Sequence, residues 1–256
     1  MTKIVFFDVD GTLYNTQNEI PESTKESIAL LQSKGIKVAL ATGRSPFTVT
    51  KICDELNVDT IVCYNGQYVT HKGEIVYTNP MPMAELAQLK ELTKAKNHAL
   101  VFASHHMIAF DEPNNEVVKK ALNSVNISYP EVVSDFTTDN EIYQMMLFAD
   151  DSHDMSYNAA FENYRFVRWH DQSMDVIPAN GSKADGIKAL LSELNIAIEN
   201  AYAFGDGMND YEMLQAVGCG VAMGNGKEAL KKVADYITDH VDEDGIMKGL
   251  KHLNLI

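Results

Sequence analysis

The beginning of the chain alternates between short apolar segments and longer amphipathic ones. Hydrophobic periodicity predicts strands over 3–9, 37–42 and 60–64, and helices over about 21–34 and 46–57. Strands that alternate with helices favour a parallel sheet, because each helix carries the chain back to the same end of the sheet. This part of the chain is therefore predicted to form an α/β unit with a parallel sheet.

Two carboxylates, Asp8 and Asp10, stand at the end of the first predicted strand. Side chains alternate along a strand, so both acids point the same way, and Gly11 permits a sharp turn that leaves them at the tip. Mg²⁺ is usually held by one or two carboxylates together with a substrate phosphate. The pair therefore indicates a site for a divalent metal or for proton transfer. An Asp-Gly turn that closes a buried strand is the alternative.

A small hydroxyl residue ends the second predicted strand, where Thr42 is followed by Gly43 and Arg44. A hydroxyl and backbone N–H groups at a strand-to-helix junction can bind a phosphate. A simple helix cap is the alternative explanation.

A lysine opens a predicted helix late in the chain. Ser182 is the expected N-cap, which puts Lys183 in the first turn, and an apolar face follows at Ile187, Leu190 and Leu194. The helix dipole disfavours a positive charge there unless an anion lies nearby. Lys183 therefore indicates a phosphate or carboxylate partner, and a solvated surface lysine is the alternative.

Another apolar segment, 201–204, is followed by a loop rich in acids and glycines. Asp206 has a glycine on each side, and Asn209 and Asp210 follow within four residues. The glycines permit close approach of the backbone to a ligand. A Gly-Asp loop with Asp210 as a helix cap is the alternative.

Each of these clusters lies where a predicted strand ends or a predicted helix begins, and open α/β sheets bind ligands at those ends. The sequences DVDGT (8–12), ATGR (41–44), NGSKADGI (180–187) and GDGMND (205–210) resemble, in this order, the four motifs of the haloacid dehalogenase (HAD) superfamily of phosphohydrolases. The long stretch between Thr42 and Lys183 further resembles the Cof-type branch, which carries a large α/β cap there.

The resemblance implies an α/β HAD core with a Rossmann-like parallel sheet over residues 1–80 and 181–256, and an inserted α+β cap over 81–180. The sequence agrees, because the pattern of strands and helices changes in the inserted stretch, and Pro80 and Pro178 lie near its ends. Such a cap is expected to close over the site and to exclude bulk water.

The resemblance also implies chemical roles for the motif residues. Asp8 is expected to attack phosphorus and form an aspartyl-phosphate, while Asp10 protonates the leaving oxygen and then activates water. Thr42 and Lys183 are expected to bind the oxygens of the transferred group.

Mg²⁺ is the cofactor that the resemblance implies. Asp8, the backbone carbonyl of Asp10 and Asp206 are the expected ligands. Asp210 belongs to the same expected metal site, and Asp210 and Asn209 are expected to act as outer ligands or orienting groups.

The expected substrate is a small phosphorylated metabolite, with sugar phosphates first and pyridoxal phosphate or flavin mononucleotide after them. Asn65 precedes a predicted hairpin over 67–78, which is expected to hang over the strand tips. The residues expected to contact substrate are Thr42, Gly43, Arg44, Asn65, Lys183 and Asn209.

Charge and composition exclude several partners. The 36 acidic residues outnumber the 21 basic ones, and the net charge of −15 disfavours nucleic acids and anionic membranes. No apolar run is long enough to span a membrane. Three cysteines without CxxC spacing are expected to be free thiols in a reducing cytoplasm. A monomer or a weak homo-oligomer is expected.

Two other functions remain open from the sequence. A sugar phosphomutase on the same fold would isomerise its substrate without net phosphate release. A regulatory protein that binds a phosphorylated ligand without turnover would be expected to lack Asp8 or Asp10, and both are present.

Overall fold

Fourteen strands and ten α-helices form over residues 2–125 and 127–256, which are the residues that the computed structural model describes. The strands are β1 (Ile4–Phe7), β2 (Lys37–Ala41), β3 (Thr60–Cys63), β4 (Tyr68–His71), β5 (Glu74–Thr78), β6 (Ala99–Ala103), β7 (Ile108–Phe110), β8 (Glu131–Val132), β9 (Gln144–Phe148), β10 (Tyr164–His170), β11 (Ser173–Pro178), β12 (Ala201–Gly205), β13 (Cys219–Ala222) and β14 (Tyr236–Ile237). The α-helices are α1 (Glu22–Ser33), α2 (Thr50–Leu56), α3 (Leu86–Ala95), α4 (Glu116–Ser124), α5 (Phe136–Asp139), α6 (Asp154–Ala160), α7 (Lys183–Glu193), α8 (Tyr211–Ala216), α9 (Glu228–Lys231) and α10 (Gly245–His252).

The chain divides into two compact units. Unit 1 comprises Met1–Gly43, Val49–Tyr77 and Ser182–Ile256, and unit 2 comprises Arg44–Thr48 and Thr78–Gly181. Unit 1 contains the strands and helices that alternate at the start of the sequence. In unit 2, helices also stand between most of the strands, but β7 directly follows β6 and β11 directly follows β10.

Unit 1 is built on an eight-stranded sheet in the order β14-β13-β12-β1-β2-β3-β4-β5. The six strands from β14 to β3 pair in parallel, which confirms the predicted α/β class. Every residue of β1 is buried, as expected for a central strand covered on both faces. Ile187, Leu190 and Leu191 of α7 pack in the core beneath this sheet.

The predicted hairpin forms, but its expected position over the strand tips is wrong. β4 pairs antiparallel with β3, from Cys63 opposite Tyr68 to Thr60 opposite His71, and β5 follows at the edge of the sheet. The chain reverses immediately after Cys63, so the N–H and C=O groups of β3 are satisfied by the returning strand. The hairpin therefore widens the sheet.

Unit 2 is an α+β structure around a six-stranded sheet in the order β10-β11-β9-β6-β7-β8. Its neighbours pair antiparallel except for β7 and β8, which are parallel. The apolar core contains Leu100, Phe102, Met145, Leu147 and Val176. Unit 2 therefore has a hydrophobic core of its own.

None of the helices in the described residues has the length and apolarity needed to cross a bilayer.

Candidate active site

The site lies at the carboxyl ends of the parallel strands of unit 1. Asp8 follows β1, Thr42 follows β2 and Asp206 follows β12, and these strands are neighbours in the sheet. The backbone N–H of Asp8 donates to the carbonyl of Phe204 at 3.0 Å, so pairing between β1 and β12 continues up to the first acid. The three polar residues come together because parallel strands end at the same edge of a sheet.

Lys183 forms two buried ion pairs in this site. Its Nζ donates to Asp8 Oδ1 and to Asp210 Oδ1, each at 2.6 Å. Lys183 is only 1% exposed, which excludes the solvated surface lysine. The Ser182 hydroxyl accepts from the backbone N–H of Asp185 at 3.3 Å, so the predicted N-cap is confirmed. The first turn of α7 therefore places the Lys183 ammonium between the carboxylates of Asp8 and Asp210.

Hydrogen bonds hold both the side chain and the backbone of Asp206. Thr12 Oγ1 donates to Asp206 Oδ1 at 3.1 Å. Asp210 Oδ2 accepts from the backbone N–H groups of Asp206 and Gly207 at 3.0 and 2.9 Å. Gly11 has a φ of +82°, and a Cβ there would overlap the Asp206 carboxylate. Both the backbone conformation and the close approach therefore require glycine at this turn.

The carboxylates of the site carry more negative charge than Lys183 balances. Asp8, Asp206 and Asp210 offer oxygens that all lie within 4.8 Å of one another. Burial and then the charge of Asp210 raise the pKa of Asp8 well above its usual value, and the same causes raise the pKa of Asp206 to about 7. Burial lowers the pKa of Lys183, but the charges of Asp210 and Asp8 outweigh it and hold the lysine charged. Two buried carboxylates and one half-buried carboxylate, with one ammonium, suit an added hard cation, which takes oxygen ligands.

Asn65 occupies a turn that packs against the start of α7. All three residues of Tyr64–Gly66 have positive φ, and a Cβ on the glycine would overlap the carbonyl of Ser182. The Asn65 N–H donates to the Thr42 carbonyl at 3.0 Å, and Asn65 Oδ1 accepts from Asn209 Nδ2 at 3.0 Å. A left-handed turn of this kind persists only where its surroundings hold it. It brings Asn65, Thr42 and Asn209 together.

The remaining predicted residues lie in different environments. The Asp10 side chain is exposed, and its charge contributes to the raised pKa values of Asp8 and Asp206. Gly43 is the last residue of its segment of unit 1, whereas Arg44 belongs to unit 2. There, the Arg44 guanidinium donates through Nη2 to the carbonyl of Val125 at 3.2 Å.

Sequence reasoning missed two polar residues that contact the site. Thr12 was part of a recognised motif but had no assigned role, although it binds Asp206. Asn225 lies between Gly224 and Gly226 in the loop that follows β13, and its Nδ2 donates to the Gly11 carbonyl at 2.7 Å. The signal for Asn225 was present, because an apolar strand followed by an amide flanked by glycines repeats the pattern seen after β12.

A family model of haloacid dehalogenase-like hydrolases matches residues 5–250. The chain is 41% identical to the protein YkrA of Bacillus subtilis (strain 168), over 100% of this chain and 99% of that protein. It is 27% identical to the pyridoxal phosphate phosphatase YbhA of Escherichia coli (strain K12), over 96% of each chain.

A solved structure has the same fold over its whole length. It is a sugar phosphatase of HAD subclass IIB, with a TM-score of 0.91, 32% identity and coverage of 100% of both chains. The match extends over both units of the present chain, including the stretch between the second and third motifs.

Proposed function

Because this chain belongs to the haloacid dehalogenase-like hydrolases and is a phosphoric monoester hydrolase of that superfamily, we propose that it releases phosphate from small phosphorylated metabolites with Mg²⁺. The observation that carries the proposal is the buried Lys183 between Asp8 and Asp210, with Asp206 in the same cluster. This arrangement combines a nucleophile, a fixed positive charge and oxygen ligands at one sheet edge.

We propose that Asp8 is the nucleophile and forms an aspartyl-phosphate. Phosphate esters resist attack because their negative charge repels nucleophiles, so catalysis requires neutralisation of that charge and in-line positioning. The Lys183 ammonium, 2.6 Å from Asp8 Oδ1, favours the ionised carboxylate that the attack needs. Lys183 and the Thr42 hydroxyl then bind oxygens of the transferred group.

Asp10 is the proposed general acid and base. Its exposed carboxyl lies two residues from Asp8, where it can give a proton to the leaving oxygen. The same carboxylate then accepts a proton from the water that hydrolyses the aspartyl-phosphate. A residue without a titratable group at this position would leave the second step slow.

The proposed metal ligands are carboxylate oxygens of Asp8 and Asp206 with the backbone carbonyl of Asp10. These hard oxygen donors fit Mg²⁺, which would neutralise charge on the transferred group. Asp210 lies within reach of the same ion, and each of its oxygens also accepts hydrogen bonds, from Lys183 and from the loop around Asp206. We therefore assign Asp210 an orienting role at the metal site.

Sugar phosphates are the leading proposed substrates, since a sugar phosphatase shares the whole fold at 32% identity. Pyridoxal phosphate comes next because of the YbhA relative, and flavin mononucleotide is a further candidate. Gly43, Arg44, Asn65 and Asn209 are the proposed substrate contacts, and unit 2 is proposed to be the cap that selects the leaving group. Exchanging residues 81–180 for those of a relative should then shift substrate preference, and an unchanged profile would contradict cap control.

The proposed location is the reducing cytoplasm. Cys53, Cys63 and Cys219 are all free thiols in the structure, which supports this location. Alkylation of protein from cells lysed without reductant should modify all three thiols once the protein is denatured.

The test is phosphate release from a panel of sugar phosphates, nucleotides and phosphorylated vitamins, in Mg²⁺ and in EDTA. Asp8→Asn is the matched control, since it keeps the shape of the side chain and removes the nucleophile. Metal-dependent release that is lost in Asp8→Asn would support the proposal. Release from none of the compounds would contradict it, and isomerised product in the same samples would identify a phosphomutase.

A further inference from the structure

Asn225 connects three segments of unit 1 through its side-chain amide. Nδ2 donates to the Gly11 carbonyl at 2.7 Å and lies 3.5 Å from Asp206 Oδ2. Oδ1 accepts from the backbone N–H of Val241 at 3.0 Å. The amide therefore contacts the turn at Gly11, the carboxylate of Asp206 after β12 and the loop after β14.

Only one orientation of this amide satisfies its neighbours. The Val241 N–H is a donor and the Gly11 carbonyl is an acceptor, so Oδ1 must face Val241 and Nδ2 must face Gly11. In this orientation the amide directs its N–H₂ group towards the Asp206 carboxylate as well. A carboxylate of the same shape could not donate to either acceptor.

We propose that Asn225 is a positioning residue for the metal site, which fixes Asp206 and the backbone of the 10–12 turn in their binding geometry. This inference rests on the proposed function, because it assigns Asp206 and the Asp10 backbone carbonyl to the metal. Asn225 is not itself a proposed ligand, and it acts through its contacts with Gly11 and Asp206.

Asp206 is held between two donors from opposite ends of the chain. Thr12 Oγ1 binds one carboxylate oxygen at 3.1 Å, and Asn225 Nδ2 approaches the other at 3.5 Å. Gly11, whose carbonyl accepts from Asn225, lies directly before Thr12 in the chain. Loss of the Asn225 amide would thus release one oxygen of Asp206 and loosen the segment that holds the other.

A second contact holds the same loop further along and provides a matched control. Thr16 donates through its backbone N–H to Asp242 Oδ1 at 3.2 Å and through Oγ1 to Asp242 Oδ2 at 2.8 Å. Both residues are exposed, and these two hydrogen bonds join Thr16 to Asp242 rather than to Asp206. Thr16→Val therefore removes a hydrogen bond from this loop without removing a partner of Asp206.

The experiment compares Asn225→Leu, which keeps the branching and the number of heavy atoms of asparagine but has no polar group, with Thr16→Val and the wild type. Loss of an outer hydrogen-bond partner typically weakens metal binding by about 10–100-fold. We expect the half-saturating Mg²⁺ concentration for phosphate release to rise at least about 10-fold in Asn225→Leu and less than about twofold in Thr16→Val. Calorimetric titration of each metal-free protein with MgCl₂, without substrate, should show the same weakening.

Asn225→Ser is a second variant with a polar side chain too short to reach Gly11, and it should share the weakened Mg²⁺ binding. A normal Mg²⁺ titration in a folded Asn225→Leu protein would overturn the inference. Loss of the fold in both Asn225 variants would also overturn it, since the residue would then be structural. Wild-type hydrolysis that EDTA does not reduce would instead contradict the proposed function. The calorimetric comparison of Mg²⁺ binding would still test the role of Asn225.

Discussion

Both units contain partly or wholly buried charged side chains, but they use them differently. In unit 1, Lys183 faces Asp8 and Asp210, with the Asp206 carboxylate close by. In unit 2, Arg168 pairs with Asp154, and its Nη1 donates to the backbone carbonyls of Ala149 and His170 at 3.1 and 2.9 Å. Unit 1 gathers an excess of one charge at a sheet edge, whereas unit 2 matches its cation to a carboxylate and to carbonyls.

This difference distinguishes a candidate active site in unit 1 from a structural ion pair in unit 2. An excess of buried like charge opposes folding unless something else binds there, and perturbed carboxylates of this kind cluster at functional sites. A guanidinium whose three nitrogens each donate to a carboxylate or a carbonyl holds local structure together. We therefore propose that the chemistry takes place in unit 1. We expect that replacing either cation reduces stability, whereas only the replacement in unit 1 removes activity.

The largest expected effect comes from Lys183→Met. The substitution leaves Asp8 and Asp210 buried without their cation, and removal of one partner from a buried ion pair costs about 3–5 kcal/mol. Urea unfolding should show this loss of stability, and phosphate release should fall to background. Wild-type stability in Lys183→Met would contradict the account of a buried, charged cluster.

Arg168→Met in unit 2 should reduce stability without removing activity. The Arg168 Nε donates to both oxygens of Asp154, at 3.2 and 3.0 Å, in addition to its carbonyl contacts. Hydrogen bonds to charged groups contribute about 1.5–3 kcal/mol, so we expect a loss of about 2–3 kcal/mol. Phosphate release, measured well below the unfolding temperature, should change less than about twofold. A large loss of activity in the folded variant would contradict the purely structural role of Arg168.

Asp206→Asn should stabilise the metal-free protein, in contrast to Lys183→Met. The pKa of Asp206 is raised from 3.8 to about 7, so its ionisation opposes folding and stability falls as pH rises across that interval. The substitution should therefore have little effect near pH 4 and add about 1–2 kcal/mol above pH 7. Thermal unfolding in EDTA from pH 4 to 8 measures the difference, and added Mg²⁺ should no longer stabilise the variant. A variant less stable than the wild type at pH 8 would contradict this reasoning.

The sequence predicted the part of the site that depends on local patterns. Asp8, Thr42 and Asp206 each follow an apolar segment that was predicted to be a strand, and Lys183 opens a helix whose apolar face was visible in the sequence. Parallel pairing then brings these positions together without further information. The resemblance to a known family depended on these same segments.

Contacts between distant parts of the chain were not predictable in this way. Asn225 binds Gly11 across 214 residues, and no local pattern encodes that pairing. The hairpin was recognised from its turn, but its place at the sheet edge depends on hydrogen bonds between the backbones of β3 and β4. Between residues 81 and 179 the sequence contains none of the four motifs, so it identified no substrate contact there.

The central claim is that Asp8 carries the phosphoryl group during turnover. Asp10→Asn removes the proposed base for the second step, and p-nitrophenyl phosphate has a leaving group that needs no proton. With this substrate and Mg²⁺, Asp10→Asn should release about one equivalent of p-nitrophenol per protein. Peptide mass spectrometry after acid quenching should then find phosphate on Asp8. Steady turnover without phosphorylated protein, or phosphate on another residue, would contradict the account.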